Sequence, residues 1–362
     1  MQSKIYPGEI WLDTEGKPIQ AHGFSVFYSE QDGCYYWYGE NKEHSIGGPD
    51  NTVWHWGVRC YRSHDLCNWE DMGLIIPPQP EDLYSPLHPT YCMDRPHILY
   101  CKKTGKFVAW LKIMCGLTSQ FMSVMQADCF LGPYEFVHKM YKPLGMDTGD
   151  FALWEDESSG NAYFIFERPH FELITATLSE TYTEVTGEYS VHYCDRKPPD
   201  CREAPAVFTR NGVNYMFTSG TTGYFPNQSL VCRFDHFHGI YECLGDPCVG
   251  DDTATTFNSQ ITCVLKLHGK DVWIACADRW LPGEKTKEAV DAEMARYRDG
   301  FADYRPDRRY LEAGPLPGEY LKHTENTSIS RYVWLPVEWD GDKPILRWRD
   351  SWSPEEPEME AR

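Results

Sequence analysis

The sequence predicts an all-β protein, a single-domain five-bladed β-propeller with a short helical insertion in the last blade. Three observations carry this. One pattern, an apolar strand, a polar turn bearing Gly and then an aromatic-rich strand, recurs five times. Successive turns fall roughly 50 to 70 residues apart, which suits one four-stranded blade per repeat. Tyr and Trp, which favour pleated, half-buried surfaces, are abundant, at 23 and 13 of 362 residues.

The first copy runs from Ser25-Val26-Phe27-Tyr28 through Gly33 to Tyr35-Tyr36-Trp37-Tyr38. The second joins His97-Ile98-Leu99-Tyr100 to Phe107-Val108-Ala109-Trp110 around Gly105, and the third joins Phe151-Ala152-Leu153-Trp154 to Ala162-Tyr163-Phe164-Ile165 around Gly160. Ala206-Val207-Phe208 and Asn214-Tyr215-Met216-Phe217 flank Gly212 in the fourth. The fifth pairs Ile261-Thr262-Cys263-Val264-Leu265 with Asp271-Val272-Trp273-Ile274 around Gly269. Between copies lie outer-strand segments such as Val58-Arg59-Cys60-Tyr61. The stretch Glu284 to Tyr297 is charged and rich in helix formers, and it predicts a helical insertion of about residues 283–312. Tyr332 to Trp348, turning at Asp340-Gly341-Asp342, reads as a final hairpin that closes the ring with the N-terminal segment and so covers a free sheet edge. The propeller is expected to span residues 1–352, with an acidic, disordered tail at 353–362.

The net charge of −20 argues against nucleic acid, whose binding needs clustered Lys and Arg. No run of roughly 18 apolar residues marks a membrane helix. The 14 Cys are scattered, without CxxC or zinc spacing, and read as free thiols in a reducing compartment. With no apolar leader at its start, the chain is expected to be cytoplasmic, or secreted where a leader has been removed.

Inner strands of a propeller converge on the axis, so polar residues at their starts meet in one central pocket. These are His22, Asp94-Arg95, Asp150, Arg202-Glu203 and Asn258-Ser259-Gln260, with Glu40 and Asp278-Arg279-Trp280 leaving neighbouring strands. Converging buried carboxylates are costly unless paired, and such an arrangement marks function. For Asp94 and Asp278, each beside an Arg, a structural role is as good a reading. A pair of carboxyl groups across a pocket is what glycoside hydrolysis requires, one protonated to donate to the leaving oxygen and one ionised. Asp150 beside Glu203 would keep Glu203 an acid by like-charge repulsion, while the aromatic runs supply a sugar platform.

At these residues the sequence resembles glycoside hydrolase family 43, and in particular its exo-β-1,3-galactanase-like branch. The segments that carry the resemblance are Trp11-Leu12-Asp13-Thr14 to Gly23, Tyr35 to Glu40, Asp94-Arg95-Pro96, Arg202-Glu203-Ala204-Pro205, Thr256 to Gln260 and Asp278-Arg279-Trp280. The resemblance implies an inverting, exo-acting glycosidase with Glu203 as general acid and Asp150 as the modulator of its pKa. The Asp that most of the family uses as base is missing, its place held by Ala21-His22-Gly23. The branch implies Gln260 as base through an imidic acid tautomer, a demanding role for an amide, with Glu40 and Asp94 as alternatives. His22, Glu40, Asp94, Arg95, Thr222, Tyr224, Asn227, Arg279 and Trp280 are expected to bind substrate. Two departures are visible: Asp94 stands where the branch has Glu, and Tyr224 lies in a loop where the branch has Trp.

A terminal β-linked galactose of a short oligosaccharide is thus the leading substrate, with arabinofuranose and galactofuranose as alternatives. A catalytically silent sugar-binding propeller is the competing class, separable by Glu203→Gln. No cofactor and no dedicated metal ligands are expected, although a central ion such as calcium, held by His22 and waters, is left open.

Overall fold

A computed structural model describes residues 2–115, 119–303 and 324–356. The five predicted hairpins form. In the first sheet, β1 (His22–Ser29) pairs with β2 (Cys34–Glu40) so that Ser25 faces Tyr38 and Tyr28 faces Tyr35, and β3 (Val58–Ser63) and β4 (Glu70–Ile76) follow outward. The second sheet runs β5 (Cys92–Cys101), β6 (Lys106–Cys115), β7 (Ser119–Ala127), β8 (Glu135–Tyr141). The third runs β9 (Phe151–Glu155), β10 (Ala162–Arg168), β11 (Glu172–Leu178), β12 (Val185–His192), and the fourth β13 (Glu203–Arg210), β14 (Val213–Ser219), β15 (Leu230–Phe234), β16 (Glu242–Gly245).

The blade count differs from the expectation: the described residues form six sheets, not five. After β17 (Cys248–Val249), the fifth sheet has three strands, β18 (Gln260–Lys266), β19 (Trp273–Arg279) and β20 (Arg331–Pro336). The sixth is formed by β21 (Glu338–Asp340), β22 (Lys343–Arg347) and β17, which pairs with β22 in parallel. The predicted turn at Asp340-Gly341-Asp342 does form a hairpin, β21 with β22, but that hairpin belongs to the sixth sheet, while β20 just before it completes the fifth. A count of sequential hairpins is blind to a sheet assembled in parallel from two segments about a hundred residues apart. The helix is corrected with it. Helix α1 (Lys287–Gly300) lies between β19 and β20, not in the last sheet, and Thr286 caps its first turn by accepting from the Ala289 N–H. Of the rest of the predicted insertion, residues 283–286 and 301–303 are not helical, while 304–312 and the tail beyond residue 356 fall outside the described residues.

The apolar faces of these sheets pack on one another, so the core lies between blades. Trp37, Trp69 and Trp334 fill the space between the first and fifth sheets, and Trp110, Phe164 and Phe166 that between the second and third. Strands β1, β5, β9, β13 and β18 neighbour one another around the axis. The N-terminal segment ties the ring, with the Gly8 N–H donating to the Tyr332 carbonyl (2.7 Å) and Ile5 bridging Trp352.

One irregularity recurs near the axis. Strands β1, β5 and β13 break register over His22/Ser25, Asp94/His97 and Glu203/Ala206, and Gly23, Arg95 and Ala204 adopt φ of 51°, 49° and 52°. A bulge re-aims the side chain beside it, and a left-handed φ at Arg95 or Ala204 costs on the order of 1–3 kcal/mol. Strain repeated at equivalent places in three sheets marks the axial end where side chains are being directed.

Candidate active site

Those bulges turn charged side chains into a cavity of about 370 Å³ at the axis, lined among others by Glu40, Asp94, Arg95, Asp150, Glu203 and Gln260. Arg95 is its hub. The Arg95 Nε lies 2.6 Å from Asp150 Oδ2, while its two terminal nitrogens donate to Thr262 Oγ1 (3.0 Å) and Gln260 Oε1 (2.7 Å). Lys112, directly across the ladder from Asp94, stands 3.1 Å from both Asp94 and Asp150. Burial alone would raise the Asp150 carboxyl, but Arg95 and Lys112 outweigh it and hold the group below its ordinary value. Asp94 is likewise opposed by burial, yet Lys112, Lys42 and the Trp54 indole N–H (2.9 Å) bring it down to about 2.

Among the described residues no cation forms an ion pair with Glu203, although Lys112 and Arg95 partly offset what raises it. Burial first, then the negative charges of Asp150 and Glu167, push its carboxyl well above the carboxylate range. Gln260 Nε2 donates to Glu203 Oε1 (3.2 Å) and Ser219 Oγ (2.9 Å), and its Oε1 also accepts from the Trp280 indole N–H (3.1 Å). The cavity therefore sets a carboxyl group pushed up, Glu203, with one held down, Asp150, the division of labour that acid-assisted cleavage of a glycosidic bond needs.

Residues 17–276 match the family described as glycosyl hydrolases family 43. The chain belongs to that family. It is a glycoside hydrolase with the expected family membership, and no curated protein matches its sequence. A family 43 β-1,3-galactosidase solved with galactodeoxynojirimycin is 27% identical, with a TM-score of 0.75, covering 96% of the hydrolase and 100% of that chain. An exo-β-1,3-galactanase from Phanerochaete chrysosporium, solved with β-1,3-galactotriose, is 23% identical with a TM-score of 0.74, over 97% and 68% of the two chains. Another β-1,3-galactosidase is 24% identical with a TM-score of 0.73, and there the hydrolase spans 64% of the relative's length.

The structure brings Glu40, Asp94, Arg95, Asp150, Glu203, Tyr224, Gln260 and Trp280 of the hydrolase together in the cavity wall. Tyr224 packs between Trp280 (centroids 5.0 Å) and Trp54 (6.0 Å), so three rings stand where a sugar face can lie. Four expected binding residues are elsewhere. His22 is fully buried, Nδ1 bonded to Asp278 Oδ1 (2.9 Å) and Nε2 to the Tyr332 hydroxyl (3.3 Å); with both nitrogens in use it is not placed to hold a central ion. Arg279 donates to the carbonyls of Phe257 and Asn258. Thr222 and Asn227 shape the Tyr224 loop, Asn227 bonding Gly220 through both ends of its amide and donating to Thr222 Oγ1 (2.6 Å).

The cavity also contains groups that sequence reasoning missed: Trp54, Lys112, Glu167, His170, Tyr297 and Phe301. A charged residue following an apolar run within a strand was the available signal for Lys112 and Glu167. Glu167, His170 and Glu203 place one donor atom each within 4.8 Å of one another, a set able to hold a cation.

Glu40 provides a test of this electrostatic arrangement. It is 1% exposed, with Oε1 accepting from the Arg95 N–H (2.8 Å) and Oε2 2.7 Å from Lys42 Nζ. Burial, only partly opposed by Lys42, pushes it up to about 7 from an ordinary 4.5. The fold thus favours its protonated form, and the stability from this preference is complete below pH 4.5 and lost as pH rises through 7. The expected loss is about 3 kcal/mol. Urea titrations from pH 4.5 to 7 should show this decline in the wild type and a flatter profile in Glu40→Gln.

Proposed function

We propose that the hydrolase removes a terminal β-linked galactose from a short oligosaccharide with inversion at the anomeric carbon. The observation that carries the reading is the buried Glu203, its carboxyl pushed up by burial and by Asp150 and Glu167, in one cavity with Asp150, which Arg95 and Lys112 contact at 2.6 and 3.1 Å. In this reading Glu203 donates its proton to the leaving oxygen, and Asp150 keeps it protonated. The cavity volume lies at the low end of the roughly 300–1,000 Å³ range for small-molecule sites, which suits a chain end more than a polymer interior. Likeness to the 27%-identical β-1,3-galactosidase supports galactose.

For the base the geometry favours Glu40 over Gln260. Gln260 Oε1 already faces two groups that can only donate, Arg95 and Trp280, so a hydrogen on that oxygen, as an imidic acid requires, has no acceptor. Glu40, by contrast, fills the place left by the missing first-blade carboxylate: a Cβ on Gly23 would collide with Glu40 Oε1. A carboxyl group near 7 is also well matched to base chemistry at neutral pH. If Glu40 is the base, azide restores turnover to Glu40→Ala and yields α-galactosyl azide; rescue of Gln260→Ala alone would return the role to Gln260.

The substrate class is tested with p-nitrophenyl β-galactopyranoside, β-galactofuranoside and α-arabinofuranoside together with β-1,3-galactobiose. Galactose release from the biose, absent in Glu203→Gln, is expected. Turnover of a furanoside alone would replace galactopyranose, and binding without turnover across the set would make the chain a silent binder.

A further inference from the structure

Helix α1 begins at Lys287, beyond residues 17–276 that match the family. Its packing is nonetheless directed at the active site. Tyr297 in its last turn and Phe301, the residue that caps its C-terminus and whose N–H donates to the Tyr297 carbonyl (3.0 Å), both line the axial cavity. The helix is held there from two sides. The Tyr297 hydroxyl donates to the Thr222 carbonyl (2.8 Å) in the loop that carries Tyr224, and Arg298 pairs with Asp200 (3.2 Å) just ahead of β13.

The position of these two rings relative to the reacting groups can be read from their neighbours. Phe301 meets the His170 ring edge to face (centroids 5.7 Å), and His170 is within 4.8 Å of Glu203. The other aromatic group of the cavity, Tyr224 with Trp54 and Trp280, is built around the Trp54 contact to Asp94 and the Trp280 contact to Gln260. The cavity thus has two aromatic faces, and the one formed by Tyr297, Phe301 and His170 adjoins the proton donor. The oxygen that receives the proton belongs to the leaving group, so this face lies where the leaving group must sit.

We infer that helix α1 builds the leaving-group subsite of this enzyme, with Tyr297 and Phe301 as a platform that selects aglycones presenting a ring-sized apolar face, such as the CH face of a second sugar or an aryl group. The inference rests on the assignment of Glu203 as proton donor. A platform of this kind contributes only where the leaving group has a face to stack, so its removal discriminates between substrates with the same glycone.

The experiment compares β-1,3-galactobiose with β-galactosyl fluoride, which carries the same glycone and a leaving group of one atom. Phe301→Ala and Tyr297→Ala are each expected to lower kcat/KM for the biose at least tenfold more than for the fluoride. Tyr297→Phe, which keeps the ring and loses only the Thr222 bond, should retain most of the wild-type ratio and shows whether the ring or the tether matters. Equal losses on both substrates in the alanine variants, or no loss, would overturn the inference by reducing the helix to support for the Tyr224 loop. Failure of the functional reading looks different, since then the wild type hydrolyses neither compound.

Discussion

Replacing Glu203 by Gln should lower kcat on β-1,3-galactobiose by about 10³-fold while the protein still binds galactose, because a positioned general acid contributes roughly 10²–10⁴. The substitution keeps the shape of the side chain and its bond with Gln260, and it removes a buried carboxyl group that is pushed well above the carboxylate range. The loss should shrink as the leaving group improves. Hydrolysis of 2,4-dinitrophenyl β-galactoside, whose phenolate departs without a proton, should fall far less than hydrolysis of the biose. Equal loss on both substrates would assign Glu203 a binding role in place of proton donation.

The second large effect is expected at Asp150. Its negative charge is among the reasons Glu203 stays protonated, so Asp150→Asn lets Glu203 ionise at lower pH, and the alkaline limb of the kcat/KM profile should move acidward by about one unit or more. The same change leaves Arg95 and Lys112 without a shared partner. Breaking a buried ion pair in this way costs on the order of 3–5 kcal/mol, with the lower end expected because Arg95 keeps Gln260 and Thr262, and Lys112 keeps Asp94. The pH profile and urea titration of the variant report the two effects separately. A limb that stays in place, whatever the stability, would remove Asp150 from any role in tuning the acid.

Much of this site was legible because it is built at the starts of repeated strands. Asp94, Glu203 and Gln260 each sit at the axial end of an inner strand, and a repeat found in the sequence carries them to the axis together. What failed did so for local reasons. Along β19 alternate side chains face opposite ways, so Asp278 pairs inward with His22 while the adjacent Arg279 reaches the carbonyls of Phe257 and Asn258. His22 was expected to face the pocket, but Tyr332 and Asp278 take both its nitrogens. Trp54, His170, Tyr297 and Phe301 lie in connections and in an inserted helix, where no strand period indicates direction. The sixth sheet was invisible for a related reason: its hairpin, β21 and β22, is short, and its third strand, β17, joins in parallel from about a hundred residues earlier.

The account depends above all on a single displacement with Glu203 as the acid and water delivered from the opposite face. Proton NMR of the anomeric region during the first minutes of β-1,3-galactobiose hydrolysis, before mutarotation, tests it directly. The account predicts that α-galactose appears first and the β anomer grows in later. Initial release of β-galactose would contradict it, since that outcome requires a covalent intermediate and a carboxylate acting as nucleophile.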